Sequence, residues 1–456
     1  MDSQSDIPSE RPRRLTLVAA GVAATFALVP GSAAGQLPTL PGLPGQPSPA
    51  PAAPQGQIPS DPNQIATPPG LNFRPSAVPN LERDCGPTSS SGPAAVADPR
   101  GVNPRSPNPI AGSKFFVDPT ERSYKDMQIY RSRGQTANAS AMANLALQPK
   151  ARWMGRFTRP NLQRKVRNYI NCVQVFQPGT TPLIVVMRHQ GIACNPRYTA
   201  GGVAEDDRSK HWYRDFAGAV GDKRVVLAFE PDSIGTISCL AKSRRKARKD
   251  LLRYGVDVLS QLPNATIYLE GTASDWKSPA YTAGLLRYIG IAKVRGFMLN
   301  VTHHDWTSNN IAYGRKVSRR VGGKPFVVST SYNGRGPVHY KLGKAGRYRR
   351  VNVYCNPRYR GLGPRPNTNT GIAGVDGFLY LNRPGVSGAG TCNGGFKAGE
   401  WWAPRALMYA RYATQQLGPI RGTRFGFPQR ISLCALGAPV KGENTYSSRS
   451  PEKRCR

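Results

Sequence analysis

The stretch Ala228–Gly235 reads AFEPDSIG, an apolar run that ends in Glu230, Pro231 and Asp232. Two carboxyls at the mouth of a strand are raw material for general acid–base chemistry, in which one group gives a proton and another takes one. Acids are scarce in this chain: 26 Asp and Glu stand against 63 Lys and Arg, a formal charge of +37. A pair of them at a strand end is informative, because α/β folds keep their chemistry at the carboxyl ends of their strands. The ordinary role of an Asp after Pro is to cap the following turn, and the pair alone does not exclude it. The cysteines are Cys85, Cys172, Cys194, Cys239, Cys355, Cys392, Cys434 and Cys455, with no closely spaced pair among them. Zinc sites usually show such pairs, so no metal and no other cofactor is expected. Disulfides in an oxidising compartment are the better reading.

Positioning these carboxyls requires strands, and short β-rich runs recur along the chain. They are Ala151–Phe157, Pro182–Arg188, Arg224–Glu230, Thr266–Glu270, Gly296–Val301, Pro325–Ser331 and Gly377–Leu381. Segments between them, such as Pro279–Ile291 and Asn309–Val321, have helical spacing and length. Continuous apolar strands alternating with helices give a parallel sheet covered on both faces. Seven such units point to a barrel, an α/β fold of the TIM-like kind, with Asp232 at its substrate-facing end. KSRRKARKDLLR (Lys242–Arg253) belongs to one of these helices, whose other face carries Ala247, Leu251, Tyr254, Val258 and Leu262. Its charges are expected to form mostly a solvated face.

The flanks carry a different signal. Arg11, Arg13 and Arg14 precede the apolar stretch Leu15–Val29, and small residues follow at Ser32, Ala33 and Ala34. The apolar part is too short to span a bilayer, and the order of parts describes an export signal over residues 1–35. Residues 36–105, rich in Pro, Gly and Ser, read as an extended linker. A folded domain is expected over 106–428 and a tail over 429–456. The product should be secreted or associated with the cell envelope, with no membrane span after processing. Export argues against nucleic acid as partner despite the charge, and acidic envelope polymers fit it better.

From Asn108 onward the motifs NPIAGSKFFVDP, QPKARWMGRF, AFEPDSIG, GFMLNV, NNIAYGRKVS, KPFVVSTSYNGRGP, YCNPRYRGLG, NTNTG, GVDGFLYL and TCNGGFKAGEWW follow one another. In that order and spacing the chain resembles glycoside hydrolase family 6, the cellulases and cellobiohydrolases that cleave β-1,4-glucan with inversion. The resemblance implies a distorted seven-stranded parallel β/α barrel. It implies disulfides Cys194–Cys239 and Cys355–Cys392, each contributing about 2–4 kcal/mol, and leaves the other four cysteines open. It makes Asp232 the general acid, with Glu230 in support. It implies a polysaccharide substrate, bound by residues such as Trp153, Trp276, Asn300, Asn382 and Trp401, with Trp306 and Trp402 as further aromatics. Loops around Asn195–Gly202 and Gly334–Tyr354 would cover the cleft.

Inverting hydrolysis also needs a base, with the two carboxyls about 6.5–9.5 Å apart. Here the chain departs from the family's pattern. Met187 and Ala193 stand where the family has a tyrosine and the aspartate that tunes the acid. Asn382, Val386 and Gly388 replace a lysine, a glutamate and the aspartate favoured as base, while Glu270 and Ala273 replace an aspartate and a histidine. Two readings stay open. In one the chain is a diverged glycosidase whose help comes from His189, Glu270, Asp275, His303, His304 or Asp305. In the other it is a catalytically silent barrel that binds a glycan.

Overall fold

The computed structural model describes residues 103–158, 160–189, 203–342, 349–352, 356–357, 359–388 and 399–419. The expected export segment, the linker up to residue 102 and the C-terminal tail lie outside them. So do Cys194, Cys355, Cys392 and Ala193.

Seven strands make one sheet in which every neighbouring pair is parallel: β1 (Arg152–Gly155), β2 (Leu183–Met187), β3 (Val225–Phe229), β4 (Ala265–Glu270), β5 (Gly296–Leu299), β6 (Phe326–Ser329) and β9 (Val375–Leu379). They lie in this order, and all seven strands expected from the sequence are present. The central strands are apolar at most positions because they are buried on both faces, with Thr266, Glu270 and Ser329 as the polar exceptions. Ile184, Val186, Val225, Leu227, Phe229, Ile267, Leu269, Phe297 and Val328 join the layer shared with the helices. Their alternates Leu183, Val185, Val226, Ala228, Tyr268, Met298, Val327 and Leu379 fill the barrel interior. The period of two therefore survives inside a continuous hydrophobic run.

The closure is distorted. Among the described residues, β1 and β9 meet through one parallel bridge, Lys150 with Tyr380, where the Ala151 amide donates to the Tyr380 carbonyl at 2.9 Å. At the amino ends of the strands, Arg295 donates to Asp376 at 2.9 and 3.0 Å, and the Tyr268 hydroxyl donates to it at 2.8 Å. This buried trio plugs the floor.

Helices fill the connections: α1 (Arg122–Ser132), α2 (Thr136–Ala146), α3 (Leu162–Phe176), α4 (Val203–Val220), α5 (Lys242–Leu259), α6 (Pro279–Ile289), α7 (Thr307–Arg320) and α8 (Ala403–Arg411). The buried stripe of α5 is Leu251, Leu252, Gly255, Val256 and Leu259. Tyr254 and Val258 only flank it, so the expected inward face is rotated by about one position. The basic face of α5 is also partly neutralised, by Arg244–Asp206 at 2.6 Å and Lys246–Asp250 at 2.7 Å. Helices α1 and α2, not read from the sequence, pack with α8 in a second cluster around Tyr124, Met142, Tyr380 and Tyr409. The stretch expected as a cleft loop around Gly334–Tyr354 contains an antiparallel hairpin, β7 (His339–Leu342) with β8 (Arg349–Asn352). Cys172 and Cys239 are both disulfide-bonded. Among the described residues, no helix is long and apolar enough to cross a membrane.

Candidate active site

The residues after β3, β4 and β5 depart from strand geometry in the same way. Glu230, Asp232, Thr272 and Asn300 all have left-handed backbone, with φ of 56°, 67°, 64° and 67°. A non-glycine residue pays about 1–3 kcal/mol for that region, and such residues cluster at functional sites. The cost is met here by hydrogen bonds that leave the chain no alternative.

Glu230 is the first of these anchors. Strand parity would aim it into the barrel beside Val226 and Ala228, but its positive φ turns it toward α4. Its Oε1 accepts from the Arg188 amide and the Tyr213 hydroxyl, each at 2.7 Å, and its Oε2 accepts from the His189 amide at 2.9 Å. Burial pushes this carboxyl up to about 7, against the pull of those donors and of Arg248. Glu230 therefore ties the end of β2 to the end of β3 and supports the turn that presents its neighbour.

That neighbour is Asp232, half-buried at the strand mouth. The Thr302 hydroxyl donates to its Oδ1 at 2.5 Å. Burial raises the Asp232 carboxyl above the usual carboxylate range, while the Thr302 hydrogen bond and the positive charge of His303 pull it down. Glu270, at the end of β4, accepts the Asp232 backbone N–H and the Thr272 amide, the latter at 2.7 Å. Burial and the negative charge of Asp232 hold the Glu270 carboxyl well above its ordinary value. Two carboxyls this close resist ionising together, so the pair retains a proton where isolated acids would lose theirs.

Thr302 escaped sequence reasoning; it lies three residues beyond β5, with no local motif to mark it. A second feature had been seen only as separate residues. His303 Nδ1 lies 2.8 Å from Asp275 Oδ1, and the His303 ring stacks on Trp276 at 4.8 Å between centroids. Trp276 in turn lies against Gly235, where any Cβ would enter its ring.

The other expected residues take structural places. Asp305 does not face the acid: its Oδ2 accepts from Ser274 at 2.5 Å, and its Oδ1 accepts from the Trp306 amide at 2.9 Å and from Asn309 at 3.0 Å. It closes the start of α7. Asn300 is 1% exposed and donates to the carbonyls of Asp305 and Ser329, so it holds the end of β5 instead of offering its amide to a ligand. Trp401 donates its indole N–H to Asp126 at 2.7 Å and packs into the α1–α2–α8 cluster. His189 is buried, and burial with the charges of Arg248 and Arg188 keeps its imidazole neutral. His304 is likewise neutral and stacks on Tyr332 at 5.3 Å. Trp153 and Asn382 remain half-buried at the strand ends. The Trp153 indole donates to the Leu381 carbonyl at 2.8 Å, and the Asn382 amide donates to the Val301 carbonyl at 2.8 Å.

Gly388 carries no carboxylate, and its amide donates to Asn356 Oδ1 at 2.9 Å. Segments 190–202, 343–348, 353–355 and 389–398 contain no Asp or Glu, so none enters the site from them. Among the described residues, no group of three or more His, Cys, Asp or Glu could hold a metal ion.

The geometry agrees with relatives. Residues 110–413 match the model of glycosyl hydrolases family 6. Endoglucanase A of Cellulomonas fimi is 32% identical over 308 residues, 67% of this chain and 62% of the relative. Endoglucanase 1 of Streptomyces halstedii is 29% identical over 294 residues, 61% of this chain and 85% of the relative. The endoglucanase of Mycobacterium tuberculosis, solved in complex with methyl-cellobiosyl-4-deoxy-4-thio-β-D-cellobioside, superposes with a TM-score of 0.58 at 30% identity, covering 67% of this chain and 99% of that one. With the seven-stranded barrel and the carboxyl of the EPDS turn in place, the chain belongs to glycosyl hydrolases family 6.

Proposed function

We propose that this chain hydrolyses the O-glycosidic bonds of a β-1,4-glucan or a closely related polysaccharide with inversion, using Asp232 as the general acid. The observation that carries the reading is the Asp232 carboxyl itself. It is held at a strand mouth in a strained turn, raised by burial, and bonded by Thr302 through Oδ1. Oδ2 is then left to hold the proton and give it to the leaving oxygen. Glu270 serves as its carboxyl partner, in contact with the Asp232 backbone and so on the acid's side of the site. Trp153 and Trp276 supply aromatic faces of the kind that sugars stack against. A glucan polymer lies outside the cell, in keeping with the export signature of residues 11–34.

Asp232→Asn keeps the shape of the acid and removes its proton. Reducing ends released from soluble β-1,4-glucan should fall about 10²–10⁴-fold, with oligosaccharide binding retained. Unchanged turnover would reject Asp232 as the acid. The missing carboxylate at Gly388 favours the silent-barrel reading, which would replace this one if the unaltered chain binds cellohexaose and releases no reducing ends.

A further inference from the structure

The site holds one group that the family's chemistry does not call for, the His303–Asp275 pair. Its members come from different loops. Asp275 follows β4 and His303 follows β5, and they meet at 2.8 Å with exposures of 13% and 7%. An imidazole whose Nδ1 faces a carboxylate is held by it in one orientation. The stack on Trp276 fixes the ring plane, and Trp276 is itself seated on Gly235, three residues beyond Asp232. His303 also directly follows Thr302, whose hydroxyl binds Asp232. The dyad thus belongs to the same wall as the acid, and its charge is felt there.

We propose that His303, oriented by Asp275, is a proton relay that reloads Asp232 after each cleavage. The inference rests on Asp232 being the acid. In the cleavage, the bond between the anomeric carbon and the leaving oxygen breaks, and its electron pair goes to that oxygen, which takes the proton of Asp232. Water adds its oxygen to the anomeric carbon and releases a proton to solvent. Asp232 is left as a carboxylate. The His303 imidazolium then gives it a proton, the N–H electron pair staying on nitrogen, and the neutral imidazole regains a proton from solvent. One proton leaves with the attacking water and one returns through His303, so the cycle balances. His303 acts through Asp232 and is a positioning residue for that proton.

Among the described residues, the groups around the relay come from the loops after β3, β4 and β5. Asp275 and Trp276 follow β4, Asp232 follows β3, and Glu270 lies at the Asp232 backbone. His304 stands beside it in the chain, and the charges of Arg405 and Arg360 act on that second histidine.

The test uses two leaving groups on the full chain. Cellohexaose releases a sugar alkoxide that must be protonated, whereas 2,4-dinitrophenyl β-cellobioside releases a phenolate that needs no acid. His303→Gln and Asp275→Asn should each lose about tenfold or more on cellohexaose relative to the dinitrophenyl substrate. Asp232→Asn should show the same selectivity more strongly. Added imidazole should restore cellohexaose turnover in His303→Ala, which a purely structural role would not allow. Equal loss on both substrates would make His303 the base acting on water and overturn the relay. Wild-type behaviour of His303→Gln on both would also overturn it, while Asp232→Asn still confirmed the acid. If Asp232→Asn is unaffected, or the unaltered chain turns over neither substrate, the assignment of the acid fails and the relay falls with it.

Discussion

At the scale of single residues, the site works by setting opposed influences on one carboxyl. Burial raises Asp232, and the Thr302 hydroxyl lowers it by stabilising the ionised form. Removing that hydroxyl while keeping the side chain's shape, as in Thr302→Val, should push the Asp232 carboxyl higher still. An acid must be protonated to work, so activity is lost as pH rises through its folded value. The alkaline limb of kcat/KM should therefore move to higher pH in Thr302→Val, because that limb reports the essential acid of the free enzyme. A limb that stays in place or moves down would show that Thr302 does not govern Asp232. AFEPDSIG points to Asp232 and Glu230 as the candidate carboxyls, but the threonine that binds Asp232 lies seventy positions away and carries no signal of its own.

Elements translate this into geometry, and α6 shows how local chemistry does so. Its boundaries follow from three residues: Ser278 accepts the Tyr281 amide at 3.3 Å, Pro279 opens the first turn, and Gly290 ends it at φ 102°. The helix matters to the site because Thr282 on α6 joins Tyr313 on α7 and Thr272 in a hydroxyl network, with contacts of 2.7, 2.9 and 3.1 Å. That network pins Thr272, whose amide holds Glu270. Ser278→Ala should lower stability by about 1 kcal/mol, the ordinary worth of an N-cap. Denaturant midpoints would check this, and an unchanged midpoint would mean that the proline and glycine alone define the helix.

For the whole molecule, the proposed catalytic carboxyls and the structural charges sit at opposite ends of the barrel. Asp232 and Glu270 lie at the carboxyl ends of the strands, whereas Arg295, Asp376 and Tyr268 close the other end. Neutralising one partner there leaves a buried guanidinium uncompensated. Asp376→Asn should cost about 3–5 kcal/mol in urea unfolding, while the folded fraction keeps its pH profile of turnover. A loss below about 1 kcal/mol would show that water reaches the floor and screens the pair.

The sequence by itself determined the architecture, because a strand packed on both faces favours apolar residues at most of its positions. All seven barrel strands were legible in that pattern, with no end off by more than two residues. Helices α1 and α2 were not, since their partners in α8 lie more than two hundred and fifty positions away and their own apolar stripes are weak. The hairpin β7–β8 was also hidden, being short and basic, and so lacking hydrophobic alternation. At the site, Glu230 and Asp232 could be named from a local motif, but the left-handed backbone that carries them could not. Which acids are consumed by structure could not. Asp305 and His303 stand two positions apart, yet one is taken up by Ser274, Asn309 and the Trp306 amide and the other joins Asp275. That division depends on which loops converge above the barrel, and the convergence is set by the packing of β4, β5 and their helices rather than by any local run of residues.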